Sequence, residues 1–309
     1  MSPELLRFTV GEHEYVLRAY STFYTLAWIA GPLLAAWVAH RRGIAWARAL
    51  GTYALALAAG IVGARVLDLF VAWRFYKADP SRMWALDFSG FSLYGGLVVA
   101  TLVGWALARA WRLPAWRLAD AAVPGVALAI VLMRTGCFLN GCCYGLPSTL
   151  PWAVTYPLGS PAWQAELARS ALRAFGGGSA IAVPTVHPTQ LYEMAAAVVL
   201  AGLAWWLGRR PRVADGPETA SAGVRPRVAD GVPALVFAIG FTLARLGNGF
   251  LRARQSTITA PVWFYPVAYG ALAVALAVLL AARVRAGRRG DTRLPAPKAG
   301  AGEGQGATD

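Results

Sequence analysis

"YSTFYTLAWIAGPLLAAWVA", residues 20–39, runs for twenty positions without one charged side chain. A helix of that length is about 30 Å long, the thickness of a bilayer's hydrocarbon core. A second uncharged stretch, "PVWFYPVAYGALAVALAVLLAA", occupies 261–282. Between them lie apolar stretches at about 49–72, 90–108, 118–138, 188–208 and 232–251. The expected fold is therefore all-α, a polytopic integral membrane protein with about seven transmembrane helices and a small external head.

Composition agrees with that reading. Of 309 residues, 57% are hydrophobic and only 14% charged, against about 25% charged in an ordinary soluble domain. Mean hydropathy is +0.48. The net charge of +14 raises the question of nucleic acid. Such binding needs basic residues gathered on a soluble face among stacking aromatics. Here they lie in short clusters between apolar runs, so the partner expected is the membrane, with no nucleic acid.

Those clusters set an orientation. Seventeen of the 29 basic residues follow the first, third, fifth and seventh spans, nine lie on the opposite side, and Arg65, Arg134 and Arg245 fall inside spans. Cytoplasmic loops carry the excess of Lys and Arg, which puts the N-terminus outside and the C-terminus in the cytoplasm. The N-terminal "MSPELLRFTVGEHEY" has no apolar core of a cleavable signal. The division expected is an external segment at 1–19, a membrane domain at 20–285 and a disordered cytoplasmic tail at 286–309. Within the membrane domain, 139–187 forms the external head, with a short amphipathic helix at 161–175. Residues 209–231, in which "PRVADG" occurs twice, form a cytoplasmic linker.

Charges inside the spans carry the functional signal. An arginine at mid-bilayer costs about 2.5–3.5 kcal/mol on insertion scales, so each needs a partner. Arg65 has Asp68 one helical turn away, whereas Arg134 and Arg245 have no acid within a turn. Near the external ends of the spans, where Arg134 and Arg245 sit, the carboxylate is Glu193, at the start of the fifth. Two arginines and one acid leave positive charge to spare. Guanidinium forks match phosphate oxygens, so an anionic lipid headgroup in the outer leaflet would satisfy it.

"VHPTQLYEM", 186–194, adds His187, Gln190 and Tyr192 beside Glu193. His187 and Glu193 offer proton acceptors at the membrane face, while Pro188 and Thr189 also suit a plain helix start. In "SGFSLYGGLVVA", 89–100, Tyr94 precedes Gly95-Gly96, where a helix or a ligand can approach the backbone closely. All three cysteines, Cys137, Cys142 and Cys143, fall in "RTGCFLNGCCYG", 134–145. Zinc would want a fourth ligand such as His187, but adjacent cysteines lack the two-residue spacer of structural zinc loops. A disulfide, a reactive thiol and small apolar filling all stay open for them. No cofactor and no metal is assigned.

Taken in order, these segments resemble the prolipoprotein diacylglyceryl transferase family over most of 15–285. "HPTQLYE", 187–193, matches the family's His-Pro-Ser/Thr-Gln-Leu-Tyr-Glu in full. "RTGCFLNGCCYG" is similar to its signature Arg-x-Gly-Asn-x-x-Asn-Gly-Glu-x-x-Gly, with Arg134, Gly136, Asn140, Gly141 and Gly145 in place. "PWAVTYP", 151–157, Tyr20 in "RAYSTFY", "GARVLDLF" around Arg65, "FSLYGG" and Arg245 also align. Departures are Tyr94 for the histidine of a His-Gly-Gly, Cys137 for an Asn, Cys142 for a Glu, and Phe241 and Gly249 for the Tyr and Glu that flank the sixth-span arginine.

The resemblance implies seven spans, an external N-terminus and a periplasmic head in the plasma membrane of a bacterium. It implies transfer of a diacylglyceryl group from phosphatidylglycerol to the lipobox cysteine thiol of prolipoproteins, with release of glycerol phosphate. On that basis Arg134, Arg245, Tyr94 and His187 are the catalytic residues expected. Tyr20, Arg65, Asn140, Gly145, Gln190, Tyr192, Glu193, Cys137 and Cys142 would bind substrate. Two alternatives stand beside it: the same scaffold doing thiol or sulfur redox chemistry through Cys142-Cys143, and a non-enzymatic anionic-lipid-binding protein.

Overall fold

Each of the seven apolar stretches forms a helix in the computed structural model, which describes residues 4–84, 92–175, 184–208, 228–253 and 260–291. These are α1 (Ala19–Arg41), α2 (Trp46–Val71), α4 (Leu93–Ala110), α5 (Ala115–Asn140), α7 (Thr189–Gly208), α8 (Val232–Leu251) and α9 (Phe264–Asp291). Six of them are long and apolar enough to cross a bilayer, and α4 is the shortest of the seven at 18 residues. Among the described residues, two short α-helices stand outside the set, α3 (Trp73–Ala78), followed by a 3-10 helix at Pro80–Trp84, and α6 (Pro161–Phe175), the latter at the position expected for the amphipathic helix.

Helix contacts put α5 in the middle, packed on α1, α7 and α8, while α2 pairs with α4 and α9 covers α8. Lipid tails are as apolar as leucine, so helices associate there through close packing of small residues. The seams show this. A Cβ on Gly60 of α2 would lie 3.0 Å from the Gly96 carbonyl of α4, and one on Gly136 of α5 would lie 3.0 Å from Phe23 Cβ of α1. The Gly95-Gly96 pair thus admits another helix. Large apolar side chains instead face outward, among them Ile29 and Trp37 of α1, Val199 of α7 and Val278 of α9. That outer surface suits lipid as solvent.

The structure departs from the expected division in three places. The membrane fold is all-α as expected, but the N-terminal segment adds an antiparallel hairpin of β1 (Glu4–Val10) and β2 (His13–Arg18), turned at Gly11 with φ +64°. Phe8 stacks on Tyr15 across it at 5.6 Å, but both faces stay largely exposed, so no apolar/polar alternation marks the strands in the sequence. Second, the 209–231 linker ends in packed structure. Asp120 of α5 accepts hydrogen bonds from Gly231 N (2.7 Å) and Ala234 N (2.9 Å), capping α8, and Arg117 pairs with Asp230 at 2.9 Å. Third, α9 continues to Asp291, six residues into the tail expected from 286, because Ala and Arg sustain a helix and the first proline beyond it is Pro295. The rest of that linker and tail, 209–227 and 292–309, lies outside the described residues.

Beyond α5 the chain folds into a small cap over one end of the bundle. Tyr144, Tyr156, Ala162, Val186 and Ala253 form its apolar centre. The cap is stitched by main-chain pairs: Gly145 N to His187 O (2.9 Å), Leu146 N to Leu251 O (2.7 Å) and Ala253 N to Tyr144 O (3.1 Å). It therefore ties the end of α5, the start of α7 and the end of α8 into one place.

Candidate active site

Those three helix ends carry the charged residues. Arg134 lies in the last two turns of α5, Glu193 in the second turn of α7 and Arg245 in the last two turns of α8. All three are buried. Arg245 Nη1 donates to Glu193 Oε1, and Arg134 Nε lies 2.6 Å from Glu193 Oε2. The second contact is off the hydrogen-bonding axis, so Oε2 keeps an ion-pair partner without a hydrogen bond. Separated in sequence, the two arginines share one carboxylate in space. Arg252, just past α8 in a bridge with Gly145, adds a third positive charge to this neighbourhood. One negative charge against three positive ones leaves the centre cationic.

Amides surround the carboxylate. Asn248 Nδ2 donates to Glu193 Oε1 at 2.7 Å and to Thr189 O at 3.1 Å. Gln190 Nε2 donates to Cys142 O at 2.5 Å and to the Tyr156 hydroxyl at 2.9 Å. Four buried polar atoms here have no hydrogen-bond partner among the described residues: Arg245 Nε, Glu193 Oε2, Gln190 Oε1 and Asn248 Oδ1. Buried polar atoms are rarely left so, and four together point to a ligand that is polar and carries both acceptors and donors.

On the α5 side, Tyr20 and Tyr24 of α1 pack with ring centres 4.5 Å apart and planes tilted by 34°, and Tyr24 feels the charge of Arg134. Arg134 Nη1 is 4.0 Å from Cys137 Sγ. Past Gly141, whose φ of +71° caps α5, come Cys142 and Cys143. Hydrogen bonds with Cys137 and Cys142, helped by the charges of Arg252 and Arg134, hold the Cys143 thiol well below its ordinary value. Cys142, tied to the same two thiols, is pushed up. Burial likewise raises the Tyr156 phenol above its ordinary value.

On the cap side, His187 Nδ1 lies 3.2 Å from the Tyr192 hydroxyl, which accepts from Trp152 Nε1 at 2.8 Å. His187 borders an open groove lined by Pro147, Ser148, Thr149, Leu150 and Thr185. Gly145 is required at the junction: a Cβ there would meet His187 Cβ at 2.5 Å and Leu251 O at 2.7 Å.

The structure gathers Arg134, Arg245, Glu193, Gln190, Cys137 and Cys142 into one centre, with Tyr20 at its edge and His187, Tyr192 and Gly145 beside it. Arg65 is placed elsewhere. It donates to the Tyr76 hydroxyl (3.3 Å) and to the Arg82 and Met83 carbonyls, and Tyr76 in turn donates to Asp68 at 2.6 Å. Its pairing with Asp68 therefore runs through a tyrosine. Asn140 ends α5, half-buried, and makes no side-chain hydrogen bond among the described residues. The side chain of Tyr94 lies outside the described residues. Arg134 and Arg245 have no acid within a turn on their own helices, and Glu193 of α7 reaches both in space. His187 is not joined to the cysteines and so supplies no fourth metal ligand. Sequence reading missed Tyr24, Asn248 and Arg252. Tyr24 and Asn248 had a signal, standing a helical step from Tyr20 and Arg245, whereas Arg252 had none.

The chain also has clear relatives. A family profile described as prolipoprotein diacylglyceryl transferase matches residues 8–286. The phosphatidylglycerol–prolipoprotein diacylglyceryl transferase of Ruegeria pomeroyi is 30% identical over 276 residues, covering 84% of this chain and 83% of the relative. Its namesake from Corynebacterium efficiens is 28% identical over 244 residues, covering 76% and 69%. A second namesake, from Streptomyces coelicolor, is 26% identical over 240 residues, covering 75% and 66%. With a profile match along nearly its whole described length and a buried Arg-Glu-Arg centre at the motifs quoted above, the chain belongs to the prolipoprotein diacylglyceryl transferase family, whose members are bacterial membrane transferases.

Proposed function

We propose that this chain transfers the diacylglyceryl group of phosphatidylglycerol to the thiol of a prolipoprotein cysteine. The observation that carries the reading is the cationic centre at Glu193 with its four unpartnered atoms. A phosphatidylglycerol headgroup has what three of them lack, while Glu193 Oε2 keeps Arg134 as its ion-pair partner. Its phosphate accepts from Arg245 Nε and from Arg134, and its glycerol hydroxyls donate to Gln190 Oε1 and Asn248 Oδ1.

In the step itself the acceptor sulfur forms a bond to the terminal glyceryl carbon of the diacylglycerol, and that carbon's bond to the phosphate oxygen breaks. The electron pair leaves with glycerol phosphate. The arginines stabilise the charge gathering on that leaving group, which is where preorganised donors lower a barrier most. The acceptor thiol must lose its proton. Glu193 is engaged by two guanidiniums, so His187, held by Tyr192 at the groove, is the proton acceptor in this scheme. The groove beside it offers an extended lipobox segment a place to lie. Tyr20 borders the headgroup, while Cys137, Cys142 and Asn140, at the end of α5 and just past it, are left for the acceptor side.

The excess of basic residues after odd-numbered spans supports a plasma-membrane location with the N-terminus outside and the C-terminus in the cytoplasm. The decisive experiment incubates purified protein with phosphatidylglycerol and a lipobox peptide. A peptide mass gain of one diacylglyceryl group with equimolar glycerol phosphate is expected. Absence of both from well-folded protein overturns the reading.

A further inference from the structure

We propose that Cys137, Cys142 and Cys143 form a three-coordinate site for Cu(I). This goes beyond the transfer reaction, which needs no metal. The backbone brings the thiols together in an unusual way. Cys137 is on the last turn of α5, Gly141 reverses the chain at φ +71°, and Cys143 itself takes φ +62°, a left-handed conformation uncommon for a residue with a Cβ. Neighbours in sequence ordinarily point apart, yet all three Sγ atoms lie within 4.8 Å of one another. Three sulfurs around one ion at about 2.3 Å stand roughly 4 Å apart, so closure asks for only a small inward movement.

Ligand chemistry and charge select the ion. Thiolates favour soft cations such as Cu(I) and Zn(II). Structural zinc takes four ligands, and among the described residues no histidine or carboxylate joins the three sulfurs. Charge separates the two further. Three thiolates with Cu(I) carry a formal −2, which equals and opposes the +2 of Arg134, Arg245, Arg252 and Glu193 taken together. A divalent ion would leave the centre positive. On loading, three S–H protons leave to solvent and three Cu–S bonds form, with no change of oxidation state.

The test uses the full chain, purified in detergent and kept anaerobic, titrated with Cu(I) against the competing chelator bathocuproine disulfonate. One chelator-resistant Cu(I) per chain is expected, with X-ray absorption showing three sulfur neighbours and no nitrogen. Cys142→Ser and the triple Cys→Ser variant should each lose that ion. No retained Cu(I) on the wild-type chain overturns the proposal whatever the variants do, as does equal retention by the triple variant. No lipid or peptide enters the assay, so its failure is separate from any failure of transfer.

Discussion

Arg245 and Glu193, 52 residues apart in sequence, form a buried ion pair in which the guanidinium spends Nη1 on the carboxylate and leaves its Nε–H without a hydrogen-bond partner among the described residues. The pair is half of a larger arrangement, because Glu193 also faces Arg134. Glu193 therefore reads as the acid that keeps two intramembrane arginines compatible with folding. Their remaining donors stay available to an anion.

Removing that acid gives the first prediction. Glu193→Gln leaves two buried guanidiniums uncompensated, and breaking a buried pair in this way costs about 3–5 kcal/mol. A lower thermal unfolding midpoint in detergent is expected. Phosphatidylglycerol should recover part of the loss, because its phosphate replaces the missing charge, and zwitterionic phosphatidylcholine should recover less. An unchanged midpoint would show that the carboxylate does not hold the centre.

Arg245→Lys tests the free donor. Lysine supplies one compact charge and no fork, so it can hold Glu193 or the headgroup but not both. A hydrogen bond to a charged group contributes about 1.5–3 kcal/mol, which sets a fall of roughly 10- to 100-fold in kcat/KM for phosphatidylglycerol. The unfolding midpoint should drop less than in Glu193→Gln. The glycerol phosphate release assay separates the two, and retained kcat/KM would remove Arg245 Nε from the site.

Much of this was legible in the sequence, and what was not has a physical cause. Uncharged runs of membrane length announce helices because lipid tolerates little else, and α7 and α8 begin and end within a residue of where hydropathy puts them. Arginines inside such runs stand out for the same reason. Glu193 stood out too, as a carboxylate in a span, but its contact with both arginines did not, since proximity between different helices leaves no spacing pattern. Arg252 was hidden more thoroughly: it lies past the end of a span, where a basic residue reads as interfacial. The hairpin at Glu4–Arg18 escaped because it buries no face, so no period-2 pattern had to be written into it.

Gly145 supplies the third prediction. Three segments cross at its Cα, and a methyl group would overlap His187 Cβ and the Leu251 carbonyl, neither of which is the far end of a flexible chain. Gly145→Ala should destabilise the cap by about 1–3 kcal/mol, the usual cost of overpacking, and displace His187 from Tyr192. Gly247→Ala is the control, because nothing lies within 4 Å of its added Cβ. Proteolysis of the cap should quicken in the first variant alone. Equal susceptibility would mean that the cap tolerates the overlap.

Two departures from the family motif on α8 make the last prediction, since the structure gives them opposite surroundings. Phe241 is buried in an apolar cluster and stacks on Phe237 at 6.0 Å with rings nearly parallel. Restoring the motif with Phe241→Tyr puts a hydroxyl among Val123, Ala127 and Ile130, and an unpaired buried hydroxyl costs about 1–3 kcal/mol in proteins. Gly249 is exposed and has open space around it, so Gly249→Ala should gain roughly 0.5–1 kcal/mol from the helix backbone. Neither side chain is bonded to the Glu193 centre, and both variants should keep kcat/KM within about twofold, well under the tenfold that 1.4 kcal/mol would bring. Thermal unfolding followed by tryptophan fluorescence would show the midpoints moving in opposite directions. A stabilised Phe241→Tyr would instead mean that the hydroxyl finds a partner, for which Arg245, one helical turn away, is the nearest candidate on α8.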